Sequence, residues 1–424
     1  MKRIIQHVKG TREFYPGAMA LRVWLYQQIR AVSESYGYQE YDGPFLEPIK
    51  LYAAKSGDQL VKEQAFVFPD RGGDLITLRP ELTPSLARMV AAKQNQLVFP
   101  LRWWSFGPFW RYERPQKGRT REFFQWNVDL MGADLPEADA ELVSVCASLF
   151  KRVGLQPDEV KIFVNDRRLM EQEVTILDVP EEKKALVFHL IDRRDKLSSS
   201  EWEQYVLNEG FSKKQLKGFI GLLANKNIYQ KSNDLSKFFE TVKKLGVEQY
   251  VEYDPSIIRG LDYYTGIVFE ARDVNKENRA ILGGGHYDNL VADVGGNPLP
   301  GVGFAMGDVV FSIILEKFGK LPHLDSMPAS VLITVFDKES LNRSFALAAS
   351  LREANINVIC YPVAAKLSKQ LKFADKVGLM FAIIQGPDEL QSNTVIIKNL
   401  QTREQTAVEK EKLIVELKGF LAEG

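Results

Sequence analysis

Five basic side chains fall within eleven residues: Arg111, Arg114, Lys117, Arg119 and Arg121, with Glu113 and Glu122 beside them. Aromatic residues flank them: Trp110, Tyr112, Phe123, Phe124 and Trp126. Arginine presents a planar fork that matches phosphate oxygens, and a ring gives a base a face to stack on. Such a segment suits a nucleotide, although a solvated hairpin over a core-facing aromatic stripe has the same letters. A second group is RGLDYYTGIVFEA (259–271), where Arg259, Asp262, Tyr263 and Tyr264 precede a strand-like run. These residues either line a pocket or form a loop ion pair with buried tyrosines. Gly283-Gly284-Gly285 and Gly301-x-Gly303-x-x-x-Gly307 would let a backbone approach a ligand closely. Their spacing is not GxGxxG, and the absence of GxxxxGK[ST] excludes a P-loop ATPase. Glu81 and Thr83, within LRPELTPSLARM, offer a carboxylate and a hydroxyl at a helix start. Lys366, Lys369, Lys372 and Lys376 fall at helical spacing, which fits an RNA contact or a solvated face.

These residues need elements to hold them. Residues 17–36 place Leu21, Leu25, Ile29 and Val32 on one helical face, and Gly37 ends that helix. YQEYDGPFLEP reads as one short strand stopping near Pro44. Residues 84–96 read as a helix with Thr83 as N-cap and Pro84 at the first helical position. Residues 99–131 read as strand, basic loop, strand: an antiparallel hairpin with a long charged tip. Residues 137–153 are helical again. Residues 167–245, with 15 basic against 12 acidic residues and no strand alternation, read as a helical insertion. It interrupts one unit made of 1–166 and 246–320. A linker is expected at 321–328, and 329–424 alternates strand and helix, predicting a compact α/β domain with a largely parallel sheet.

Composition limits the partners. Of 424 residues, 55 are Lys or Arg and 55 are Asp or Glu, which excludes nucleic-acid binding by bulk charge but leaves local basic sites open. A hydrophobic share of 45% and a charged share of 26% fit an ordinary soluble protein. Cys146 and Cys360 both lie in apolar runs and read as buried core residues. The four histidines are scattered, so no metal site is expected from a protein motif. No run suits a membrane helix and no secretion signal opens the chain, so a reduced, cytoplasmic setting is expected.

Taken together, the segments resemble the histidyl-tRNA synthetases, a family of class II aminoacyl-tRNA synthetases. KGTREFYP (9–16) is similar to the family's N-terminal segment, GYQEYDGPFLEP (37–48) to its first motif, and RYERPQKGRTREFFQWNVDLMG (111–132) closely to its second. RGLDYYTG and GGGHYDNL resemble two segments peculiar to the histidyl enzymes, and VGFAMGDVV (302–310) resembles the third motif in part. The resemblance implies an α+β fold: an antiparallel sheet of six or seven strands flanked by helices, a helical insertion and a C-terminal α/β anticodon-binding domain. It implies ATP-dependent activation of L-histidine and transfer to tRNA(His) by a homodimer without a membrane, with Mg²⁺ carried by ATP and no tightly bound cofactor.

The same resemblance implies roles. Arg111 would hold the α-phosphate, and Arg259 would sit over the carboxylate and α-phosphate. Glu113, Arg119 and Phe123 would contact the nucleotide, with Phe123 on adenine. Glu81, Thr83, Gln125 and Asp129 would hold the amino group and neighbouring atoms of histidine, and Tyr263, Tyr264 and Tyr287 its imidazole. Lys366, Lys369 and Lys372 would meet tRNA. Two positions depart from the family. Its third motif carries an arginine for the γ-phosphate in a GLER-like stretch, where this chain has Gly307-Asp308-Val309-Val310, and its common GGRYD has His286 here. These departures motivate one alternative, a non-catalytic paralogue such as the ATP phosphoribosyltransferase regulatory subunit.

Overall fold

The computed structural model describes residues 4–53, 63–194, 197–258, 263–324 and 326–423. They divide into two compact units: Met1–Glu13 with Val23–Pro322, and Phe14–Arg22 with His323–Gly424.

In chain order the first part runs through α1 (Pro16–Ser35), β1 (Gln39–Glu40), β2 (Leu46–Pro48), α2 (Lys50–Ala53), β3 (Phe66–Pro69), β4 (Leu75–Leu78) and α3 (Thr83–Lys93). The hairpin β5 (Leu101–Trp110) and β6 (Glu122–Met131) follows, then α4 (Pro136–Arg152) and β7 (Val160–Asp166). Helices α5 (Arg167–Ile176), α6 (Glu181–Arg193), α7 (Ser199–Asn208), α8 (Lys213–Ala224) and α9 (Asn233–Lys244) lead to β8 (Val251–Tyr253). The chain returns through β9 (Ile267–Asp273), β10 (Leu282–Tyr287), α10 (Leu290–Asp293), β11 (Gly301–Gly307) and α11 (Asp308–Lys317).

Eight strands form one sheet in the order β1-β5-β6-β11-β10-β9-β7-β8. The six inner strands pair antiparallel. The short edges β1 and β8 pair parallel, so the expected six or seven antiparallel strands become six with two parallel fringes. YQEYDGPFLEP is two strands rather than one. The chain breaks after Glu40, and β2 joins β4 and β3 in a separate three-stranded sheet.

An extended chain alternates its side chains between two faces. In β6, Trp126, Val128 and Leu130 turn into a core shared with Leu25, Ile29 and Val32 of α1 and with the apolar face of α4. The helices α5–α9 contribute Val174, Phe188, Trp202, Phe219 and Phe238 to that same core. Their starts follow from local chemistry. Asp166 accepts from the Arg168 backbone at the cap of α5, and Ser198 with Glu201 and Ser212 with Gln215 form capping boxes at α7 and α8.

The second unit contains β12 (Val331–Ile333), α12 (Ser340–Glu353), β13 (Val358–Cys360), α13 (Leu367–Val377), β14 (Phe381–Ile384), α14 (Pro387–Gln391), β15 (Thr394–Asn399), β16 (Gln405–Glu409) and α15 (Leu413–Glu423). Its sheet, β13-β12-β14-β15-β16, is parallel across the first three strands and antiparallel across the last two. That corrects the expectation of a largely parallel sheet. Strand β16 escapes sequence reading because it is an exposed edge that buries Val408 alone.

Trp126 is fully buried, meets Phe304 edge-on at 4.8 Å between centroids and donates its indole N–H to Ser33 Oγ at 3.1 Å. Trp126→Ala should lower unfolding stability by about 3–5 kcal/mol, measured by denaturant melts.

Candidate functional site

The opposite face of β6 carries Phe123, Gln125, Asn127 and Asp129 at every second residue, and these form the floor of two adjoining cavities. The first, of about 180 Å³, is lined by Arg111, Glu113, Arg119, Phe123 and Arg279 among others. The second, of about 280 Å³, is lined by Glu81, Thr83, Asp129, Tyr263, Tyr264 and Tyr287, with Asn127. Arg111, Gln125, Gly283 and Ala305 border both.

The first cavity is basic. Arg111 is fixed on two sides: its Nε donates to the Pro80 carbonyl at 3.0 Å, and its guanidinium lies 5.5 Å from the centre of the Phe123 ring. Arg119 forms an ion pair with Glu113. The hairpin tip is held from outside by the N-terminal segment. Gly10, at φ +89°, accepts from the Arg121 amide at 2.8 Å, and Arg12 pairs with Asp308 at 2.8 Å. The other Asp308 oxygen accepts from the Phe124 amide at 2.9 Å. Asp308 therefore anchors both the N-terminal segment and strand β6.

The second cavity is acidic and phenolic. Tyr287 donates to Asp129 at 2.8 Å, and burial raises the Asp129 pKa to about 7 against that bond. Tyr263 lies 4.8 Å from Tyr264 and 6.2 Å, edge-on, from Tyr287. Small residues make this room. A Cβ at Gly303 would collide with Asp129 Oδ1, and one at Gly285 would sit 2.8 Å from the Tyr264 ring. Gln125 Oε1 and Asn127 Nδ2 are buried without a hydrogen-bond partner among the described residues. Unmet donors and acceptors in a cavity mark places where a polar ligand can bind.

The structure thus brings Arg111, Glu113, Arg119 and Phe123 to one cavity. It brings Glu81, Thr83, Gln125, Asp129, Tyr263, Tyr264 and Tyr287 to the other. Arg259 lies outside the described residues. Lys366, Lys369 and Lys372 are exposed in the second unit, at the start and along one side of α13. Thr83 corrects its expected role. Leu82 occupies the cap position, no side chain caps α3, and the Thr83 hydroxyl bonds with Tyr263.

Sequence reasoning missed Asn127 and Arg279. Asn127 was findable, since it sits between Gln125 and Asp129 in the same alternation. Arg279 had no signal beyond its place just before β10. His286, a departure from the family's GGRYD, is buried, with Nδ1 3.1 Å from Asp139 and Nε2 3.2 Å from Asp288. Burial opposes its charge, but the Asp139 bond and the nearby carboxylates outweigh that and raise its pKa. The scattered histidines predicted no metal cluster. Ligand atoms of Asp134, His286 and Asp288 nevertheless converge within 4.8 Å, with Arg168 3.3 Å from Asp288 as a competing cation.

The family model for histidyl-tRNA synthetase matches residues 10–308, and an anticodon-binding domain model matches 330–419. A curated protein of Opitutus terrae, "Histidine--tRNA ligase", is 36% identical, with 98% of this chain and 99% of that protein covered. The crystal structure of histidyl-tRNA synthetase from Nostoc sp. PCC 7120 superposes with a TM-score of 0.82 at 26% identity, covering 98% of this chain and 99% of that one. A Bacillus halodurans structure described as an ATP phosphoribosyltransferase regulatory subunit/histidyl-tRNA synthetase shares the fold, with a TM-score of 0.73 at 20% identity over 89% of this chain and 97% of that one.

Asp129 yields a pH prediction. Its folded pKa of about 7 lies above the ordinary 3.8, so the folded state retains a proton that the unfolded chain releases. That stabilising contribution is full below pH 3.8 and is lost as pH rises through 7. Asp129→Asn should therefore lose less stability than the wild type between pH 5 and pH 8, by about 1–3 kcal/mol at 1.36 kcal/mol per pKa unit, compared by denaturant melts.

Proposed function

Since the chain belongs to the histidyl-tRNA synthetase family and is a histidine–tRNA ligase, we propose that the basic cavity seats MgATP, the acidic cavity seats L-histidine, and Arg111 marks where they react. The carrying observation is that two cavities of opposite character share the wall around Arg111.

Phe123 and the arginine forks suit an adenine ring and phosphates. Glu81 and Asp129 suit the ligand's ammonium, and a histidine side chain bound there would pack among Tyr263, Tyr264 and Tyr287. Bringing a carboxylate against an α-phosphate sets two anions together. Arg111, already fixed by Pro80 and Phe123, would offset that repulsion without reorganising during the step. The carboxylate oxygen bonds to the α-phosphorus as the bond to the bridging oxygen breaks. Pyrophosphate leaves, with Mg²⁺ travelling as part of the substrate. A terminal ribose hydroxyl of tRNA(His) then attacks the carbonyl and AMP leaves. We assign Arg259 to the same carboxylate and α-phosphate, from its place in RGLDYYTG. The exposed face of Lys366, Lys369 and Lys372 is our candidate for tRNA contact.

A homodimer in a cytoplasmic setting completes this reading. Leu46 and Phe68, 49% and 40% exposed, lie on one face of the small three-stranded sheet. Among the described residues no helix is long and apolar enough to cross a membrane.

Histidine-dependent ATP–pyrophosphate exchange by the pure protein is expected, and its absence would overturn the reading. Arg111→Ala and Arg259→Ala should each lower the exchange rate about 100-fold or more while histidine affinity changes less than about threefold. Equal losses in both would contradict a role in the transition state. Leu46→Glu combined with Phe68→Glu should convert the dimer to a monomer in light scattering.

A further inference from the structure

We propose that Arg279 binds the terminal phosphate of ATP in this chain, supplying the cation that the 307–310 segment lacks. The inference rests on reading the first cavity as the ATP site.

The lining of that cavity includes Val309 and Val310, in the first turn of α11. Neither side chain can bond or neutralise a phosphate. Asp308, beside them, is committed to Arg12 and the Phe124 amide. The segment therefore has a structural task and an apolar surface. Arg279 comes from a different element, the loop between β9 and β10, yet reaches the same place. A Cβ built on Gly118, at the hairpin tip, would lie 3.5 Å from Val310 Cγ2 and 3.6 Å from Arg279 Cδ. Arg279 and Val310 thus flank the same point of the hairpin tip, and both line the cavity.

The charges point the same way. Arg111 is held by Pro80 and Phe123 where the two cavities meet, the position that the proposed reading gives to the α-phosphate. Arg119 is paired with Glu113. Arg279, by contrast, makes no hydrogen bond or ion pair among the described residues. Partial burial, then the fields of Arg119 and Arg111, depress its pKa, with Glu113 opposing. Three guanidiniums around one cavity repel one another, and a polyanion relieves that repulsion. A triphosphate anchored at Arg111 would run its distal end towards the remaining cation.

The test is equilibrium binding of ATP and AMP to the full-length protein, followed by calorimetry for the wild type, Arg279→Ala and Arg279→Lys. AMP carries the adenine and α-phosphate but no distal phosphate. The wild type should prefer ATP. Arg279→Ala should weaken ATP about 10–100-fold and AMP less than about twofold, and Arg279→Lys should keep part of the preference as a point charge. If Arg279→Ala leaves the preference intact, or weakens both ligands alike, the assignment falls while the ATP reading stands. If the wild type binds ATP no better than AMP, the reading of the cavity and the assignment fall together.

Discussion

Strand β6 must face a dry core and a charged cavity at once, and the two-residue period of an extended chain makes that possible. A slip of one residue would turn Asp129 into the core and Trp126 into the cavity. Pairing on both sides prevents it: β5 holds β6 from Leu101 opposite Met131 to Trp110 opposite Glu122, and β11 holds it from Gly301 to Gly307. The buried indole and the cavity-facing carboxylate are thus set by the same register. Stability and chemistry cannot be tuned separately along this strand.

On that platform, the site is organised by where charge is tolerated. Glu81, Asp129 and three tyrosines gather on one side of Arg111; Arg119 and Arg279 gather on the other, with the Glu113 carboxylate among them. Burial weakens screening, which strengthens the pull of each group on an incoming ligand and raises the cost of leaving it unmatched. The Gln125 and Asn127 atoms without a partner among the described residues belong to the same design. No protein nucleophile is needed, because the substrate's own carboxylate attacks.

Much of this was legible in the letters. The hairpin could be read because aromatic and basic residues alternate where its strands begin and end, and Cys146 and Cys360 are buried as their apolar runs suggested. What stayed hidden was set by distant partners or by edges. Thr83 reads as a cap, but Leu82 holds that position and Thr83 lines the second cavity instead. β16 has too few buried residues to alternate. Arg279 stands more than 150 residues from the tip it joins, so spacing could not connect them. His286 reads as a loss, but the carboxylates of Asp139 and Asp288 beside it favour its charged form and raise its pKa against burial.

The clasp between Arg12 and Asp308 spans 296 residues of sequence. At the usual pace of about 5–20 residues per second, Arg12 leaves the ribosome roughly 15–60 seconds before its partner is made. During that interval β5 and β6 can pair and Gly10 can meet the Arg121 amide, but the Arg12–Asp308 pair cannot form. The basic cavity can thus be completed only once the start of α11 has been made, and a chain cut short before Asp308 would carry the 111–132 hairpin segment without that clasp.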